Sequence, residues 1–219
     1  HTGRFEDFQD FETFITALQT QIRFVTGALI TDSRPALEKR FQSGDPKLYR
    51  TFFTRDCVRK MKSFEAGGAR YNWSVVNYAG IANLVDSLAA VRKCVFDDKT
   101  ISARDLIRAL TADFEGYESQ RRELLAAPKL GNDNSFVDDM ARDILGFAWH
   151  ELRMYEHPRG GRYLPACLMF NTYVDLGVGV GATPDGRKAG TPLADSAGPM
   201  AGRDTRGPTA MLKSMAGLP

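Results

Sequence analysis

Apolar side chains at Phe8, Phe11, Ile15, Leu18, Ile22, Val25 and Leu29 recur at three- and four-residue steps. That spacing predicts an amphipathic helix with a wide apolar stripe over about residues 8–30. A second helix is expected from Pro46, favourable in a first turn, through Leu48, Phe52, Phe53 and Val58 to about Lys62, before Gly67-Gly68 breaks the pattern. Ala69-Arg70-Tyr71-Asn72-Trp73 is short and aromatic, the signature of a brief strand entering a loop. Helical spacing returns from Gly80 to Val95 with Ile81, Leu84, Val85, Leu88 and Val91, while Gly80, Ala82, Ala89 and Ala90 keep that helix thin enough to pack closely.

Ser102-Ala103-Arg104-Asp105 offers a hydroxyl for the third amide of a helix and an acid in its first turn, so a helix is predicted from about 103 to 115. Another opens at Asn134-Ser135, runs from Phe136 to His157 and stops where Pro158 disfavours the α conformation in the residue before it. Tyr163 to Val174 is apolar and aromatic with few charges, and reads as a strand buried on both faces.

Composition sharpens this picture at one point. Residues 158–219 hold 11 of the 20 glycines and 7 of the 10 prolines, so a helical N-terminal three-quarters is followed by a strand-and-loop C-terminal quarter. Net charge of +2, with both signs scattered, argues against a polyanionic partner such as nucleic acid. Cys57, Cys94 and Cys167 are odd in number and far apart, which points away from a disulfide framework or a zinc site and toward a reducing cytoplasm. No apolar run is long enough to cross a membrane, and the start at His1 lacks both an initiator Met and an apolar leader, as if the chain began inside something longer.

Most candidate chemistry has a bland alternative. His150-Glu151 lacks the second histidine of a zinc-protease helix, since Met154 stands there, and His157 is too far along; structural histidines are expected. Gly177-Val178-Gly179-Val180-Gly181 lacks the Lys-Ser/Thr of a phosphate loop. Arg159-Gly160-Gly161-Arg162 is expected to be a flexible turn with solvated arginines. Thr183-Pro184-Asp185-Gly186 has strong turn chemistry, with Arg187 either recognising an anion or pairing with a nearby carboxylate.

The order of several motifs carries more than any one of them. Gly67-Gly68-Ala69-Arg70-Tyr71-Asn72-Trp73, Asp86-Ser87-Leu88-Ala89-Ala90-Val91, Gly116-Tyr117-Glu118 and Pro128-Lys129-Leu130-Gly131-Asn132-Asp133 come first. Arg159-Gly160-Gly161, Gly181-Ala182-Thr183-Pro184-Asp185-Gly186-Arg187-Lys188-Ala189-Gly190, Pro192-Leu193-Ala194-Asp195 and Gly207-Pro208-Thr209-Ala210 follow, through to Lys213-Ser214. This sequence resembles the glycyl radical enzymes, the pyruvate formate-lyase family, in the branch of dehydratases, C–N and C–S lyases, decarboxylases and X-succinate synthases.

The resemblance implies an α/β fold, part of a ten-stranded α/β barrel, with residues 1–219 forming a partial pyruvate formate-lyase-like domain and no independent second domain. It implies an enzyme that cleaves or forms C–C, C–O, C–N or C–S bonds of a small substrate by thiyl and glycyl radical chemistry, as a lyase or acyltransferase. Neither the family's Gly-Cys-x-Glu loop nor its radical-glycine loop occurs here. The catalytic residues are therefore expected outside the chain, which holds no cofactor of its own and is expected to be inactive alone. The radical would lie in a missing C-terminal part, installed by a radical-SAM activating enzyme, and the full-length enzyme would be a cytoplasmic homodimer.

By position in the family, Trp73 and Asn77 on the segment after Gly-Gly-Ala-Arg-Tyr, and Met169, Phe170 and Asn171 on the strand after Arg-Gly-Gly, approach the substrate. Trp73 and Phe170 would form apolar walls, and Asn77 and Asn171 would hydrogen-bond a polar group. Alternation along a strand puts Met169 and Asn171 on one face and Phe170 on the other. Arg70 is expected as a buried structural arginine and Asp185 as a turn carboxylate. The competing readings are a non-catalytic barrel-derived binding or assembly subunit and, disfavoured by charge, a helical nucleic-acid module.

Overall fold

The computed structural model describes residues 2–43 and 46–219; His1, where the chain starts, and Gly44 and Asp45 lie outside the described residues. Ten elements follow in order: α1 (Phe11–Gln42), α2 (Leu48–Phe53), β1 (Ser74–Asn77), α3 (Ile81–Val91), α4 (Ala103–Thr111), α5 (Glu118–Ala126), α6 (Ser135–Arg153), β2 (Tyr163–Ala166), α7 (Thr172–Val178) and α8 (Pro208–Ala216). A 3-10 turn at Phe5–Asp7 precedes α1 and a π turn at Arg92–Asp97 continues α3. β1 and β2 pair as a two-stranded parallel sheet.

Two compact units contain these elements. The first comprises the residues up to Gln19, then Asn77–Phe147 and Cys167–Pro219; the second comprises Thr20–Val76 and Ala148–Ala166. In the first unit α3 is the core helix. Ile81, Ala82, Val85, Leu88, Ala89, Ala90 and Val91 are all buried, so its small residues do permit packing on nearly every side. Ser102 Oγ accepts the Asp105 N–H at 3.0 Å and caps α4 as its sequence requires. Asn134 Oδ1 accepts the Phe136 N–H while the Asp138 carboxylate accepts the Asn134 N–H, a reciprocal cap that opens α6. A phenylalanine cluster forms where Phe14 stacks on Phe96 and Phe5 meets Phe14 edge-on at 5.2 Å.

In the second unit, Arg23 grips Glu151 with two hydrogen bonds of 3.1 and 3.0 Å. Glu65 is almost fully buried, with Arg40, Arg50 and Arg159 at 3.4, 3.8 and 3.6 Å from its carboxylate. Asn72 donates to the carbonyls of Gly67 and Ala69, which ties the Gly-Gly segment to the residues just before β1.

Several sequence expectations need correction. α1 runs past residue 30 to Gln42 with Pro35 inside it. The second helix is only six residues, because Phe52, Phe53, Val58 and Met61 find no apolar cover and remain exposed; 54–61 form turns instead. The strand near residue 70 begins at Ser74, after Trp73. Tyr163–Val174 is not one strand: β2 stops at Ala166, residues 167–169 are irregular, Phe170 takes φ +52°, and α7 begins at Thr172. The C-terminal quarter consequently holds one four-residue strand and two helices, α7 and α8.

Candidate functional site

The five residues proposed from sequence fall in both units. Trp73, in the second unit, is 46% exposed and its ring lies 5.0 Å from that of Tyr71. It lines a cavity of about 220 Å³ with Leu37, Phe64 and the Glu65 arginine cluster. The other four belong to the first unit. Asn77 Oδ1 accepts the Leu168 N–H at 3.2 Å, which ties the end of β1 to the segment carrying Met169, Phe170 and Asn171. Met169 is buried and donates its N–H to Ser196 Oγ, Phe170 is 75% exposed, and Asn171 is the exposed residue preceding α7. The two-face alternation expected for these three does not hold, because a turn replaces the strand.

Other candidates resolve into structural roles. His157 is buried, its Nδ1 accepts the Arg159 N–H at 3.2 Å, and its Nε2 therefore carries the proton donated to Ser74 Oγ at 2.7 Å. Burial holds its imidazolium form down. Arg159 is not solvated: it contacts Glu65 and lies over the Phe64 ring at 5.4 Å. Gly161 permits the turn to run directly against the Asn72 backbone. Arg70, expected buried, is exposed and pairs with Asp56 through hydrogen bonds of 2.9 and 3.3 Å.

Asp185 is buried in its turn, as expected, and organises a network. Asn83 Nδ2 and the Arg187 N–H donate to its carboxylate, and its own N–H donates to Ser87 Oγ. Arg187, only 2% exposed, does not wait for an anion or a carboxylate. Its guanidinium donates to the carbonyls of Val180, Gly181, Lys188 and Thr191 and to Thr183 Oγ1. The glycine-rich run before it is thus held by an arginine instead of a phosphate.

Behind this turn lies a buried ionisable pair that the periodicity did not single out. Asp86 Oδ1 accepts the Leu130 N–H at 2.7 Å, while Oδ2 has no hydrogen-bond partner. Burial pushes this carboxyl up to about 7 against the opposing pull of the Leu130 amide and Lys129. Lys129 is itself buried, donates to the carbonyls of Leu124 and Ala127 at 2.7 Å, and is drawn down to about 8 by that burial. Because the Asp86 value is raised, the folded protein holds a proton that the unfolded chain has lost between about pH 4 and 7. Stability is therefore expected to fall as pH rises through that window. Asp86→Asn keeps an oxygen for the Leu130 amide and removes the titration, so its thermal midpoint should vary less from pH 4.5 to 7.5. A variant that tracks the wild-type slope contradicts this assignment.

The three cysteines do not match a thiol that must open onto a substrate. Cys57 and Cys94 are buried, burial raises all three thiols, and none lines the cavity beside Trp73. Cys167 sits in the irregular segment after β2, not in a buried strand.

The family model described as "Pyruvate formate lyase-like" matches residues 1–177. The "Probable dehydratase YbiW" of Escherichia coli (strain K12) is 37% identical over 222 residues, covering 97% of this chain and 27% of the relative. The solved structure of the glycerol-bound, B12-independent glycerol dehydratase from Clostridium butyricum has a TM-score of 0.91 at 36% identity, with 99% of this chain matched to 27% of that one. Hydroxyproline dehydratase from Clostridioides difficile, solved with trans-4-hydroxy-L-proline bound, gives a TM-score of 0.94 at 31% identity over 100% of this chain and 28% of that one. The chain thus spans about a quarter of the length of these relatives.

Proposed function

The chain belongs to the pyruvate formate lyase-like family of glycyl radical enzymes, and from that premise we propose that the protein carrying it is a radical dehydratase removing water from a small vicinal diol or hydroxylated substrate. The observation that carries this reading is coverage. Relatives named as dehydratases match 97–98% of the chain, whereas the isethionate sulfite-lyase of Bilophila wadsworthia, 40% identical, matches 65% of it.

A glycyl radical with its partner thiol supplies the hydrogen-abstracting power of such an enzyme. Cys57, Cys94 and Cys167 do not fit the partner thiol, so no step is assigned to them. The reading places the reacting cysteine and glycine outside residues 1–219, in a ten-stranded barrel of which these residues form one part. This chain then provides wall and pocket: Trp73 and Phe170 as apolar surface, Met169 as packing beneath it, Asn77 and Asn171 as hydrogen-bonding groups for substrate hydroxyls. Burying a polar substrate against such groups orients it and keeps bulk water from the reacting carbon. A radical-SAM activating enzyme, a homodimeric assembly and a cytoplasmic location complete the proposal. Among the described residues no helix is long and apolar enough to cross a membrane.

The test is anaerobic treatment of the native protein with a radical-SAM activase, followed by electron paramagnetic resonance and product analysis. The expected result is a glycyl doublet and aldehyde release from 1,2-propanediol or glycerol, or dehydration of trans-4-hydroxy-L-proline. Sulfite release from isethionate without any dehydration would replace the dehydratase reading with a C–S lyase. Absence of the doublet would favour a non-catalytic assembly subunit.

A further inference from the structure

Within the first unit, a cleft of about 630 Å³ opens between the C-terminal end of α5, the 127–134 segment and the 202–206 loop. Arg121, Lys129, Arg203 and Arg206 line it, and no acidic side chain does. Among the described residues none of these four cations has a carboxylate within 4.0 Å. Asp86 and Asp185 are buried and do not line the cleft, although both attract Lys129 and Asp86 also attracts Arg203.

The three guanidiniums are fixed by main-chain acceptors. Arg121 Nε donates to the Gly186 carbonyl at 2.9 Å and Arg203 Nη1 to the adjacent Asp185 carbonyl at 3.4 Å, so both converge on one turn. Arg206 Nη1 donates to the Asn132 carbonyl at 3.4 Å. Asn132 joins the two sides: its Nδ2 donates to the carbonyls of Lys129 and Arg203, and its Oδ1 accepts the Arg206 N–H. Each guanidinium carries five N–H donors in a rigid fork, and these contacts use one apiece. What remains is a concave, pre-organised set of donors with no carboxylate among its lining residues, the arrangement that oxyanions fill with charge-assisted, bidentate hydrogen bonds. The mutual repulsion of four clustered cations is a cost to the fold that a bound polyanion would remove.

We propose that this cleft is a binding site for a small ligand carrying a phosphate or diphosphate group, held by Arg121, Arg203 and Arg206 with Lys129 at its floor. Its volume exceeds that of a phosphate, leaving room for an organic portion along Leu125 and Pro128. The ligand is distinct from the substrate proposed for Trp73, Asn77 and residues 169–171, because none of those residues lines this cleft.

Pyrophosphate titration of the native protein, followed by phosphorus NMR and calorimetry at about 0.1 M salt, tests the assignment. Saturable binding is expected, with affinity at least tenfold lower in an Arg203→Gln, Arg206→Gln double variant and unchanged in Arg104→Gln, whose cation pairs with Glu6 elsewhere. If the double variant does not fold, Arg206→Gln alone, at an exposed position, should still weaken binding at least threefold. No saturable binding to the native protein, or equal affinity in native and cleft variants, overturns the proposal. Both outcomes are independent of any dehydratase assay.

Discussion

Gly161→Ala is expected to destabilise the protein by about 3 kcal/mol, the upper range for forcing atoms into a packed site. A Cβ at this position would stand 1.9 Å from the Asn72 carbonyl oxygen and 2.4 Å from its carbon. Both are backbone atoms next to β1, so relief requires moving the strand and not merely rotating a side chain. Its neighbour supplies the control. Gly160 takes φ +73° but a Cβ there would meet nothing within 4 Å, so Gly160→Ala should cost only the left-handed penalty of about 1–2 kcal/mol. Thermal or denaturant unfolding of both variants checks the order; a larger loss at Gly160 would mean that conformation, not contact, governs this turn.

Arg187→Ala carries the other large expected loss, about 2–5 kcal/mol, from buried carbonyls left without a donor at about 1–3 kcal/mol each. The Gly181 and Thr191 carbonyls would lose their donor outright, while those of Val180 and Lys188 keep the Gly190 amide and the Thr191 hydroxyl. Arg187→Lys should recover little, because an ammonium cannot span carbonyls from residues 180 to 191 as a planar five-donor fork does. Unfolding measurements on both variants decide it: full recovery by lysine would show that charge alone is required.

These two positions also mark how far the sequence could be read. Gly161 and Arg187 were legible as motif residues, and the motifs resembled the family now shown by comparison. What a linear pattern does not contain is their partners, Asn72 and the 180–191 carbonyls, since these meet only in the folded chain. Helices α3, α4 and α6 were legible because periodicity and capping residues agree, as at Ser102 and Asn134. The helix expected to Lys62 ends at Phe53 because its apolar spacing meets no surface to cover it, and Tyr49, Phe53 and Met61 are among the most exposed large side chains. The 163–174 run failed because hydrophobicity alone does not separate a strand from a strand, turn and short helix. α5 went unread since ESQRRELLA buries only Leu124, whereas α8 had an available signal in Gly207-Pro208, a proline at the first helical position. The four cations of the cleft have no linear signature because they come from three separate stretches of chain.

Neither compact unit is continuous in sequence, and this bears on how the protein is made. Thr20–Val76 leaves the ribosome well before Ala148–Ala166, with the whole of Asn77–Phe147 synthesised in between. β1 must therefore wait for β2, and Asn72 for Gly161, until synthesis has passed residue 166. Pairings this distant in sequence close late and slowly. During that interval the unpaired edge of nascent β1 is open to pairing with other chains.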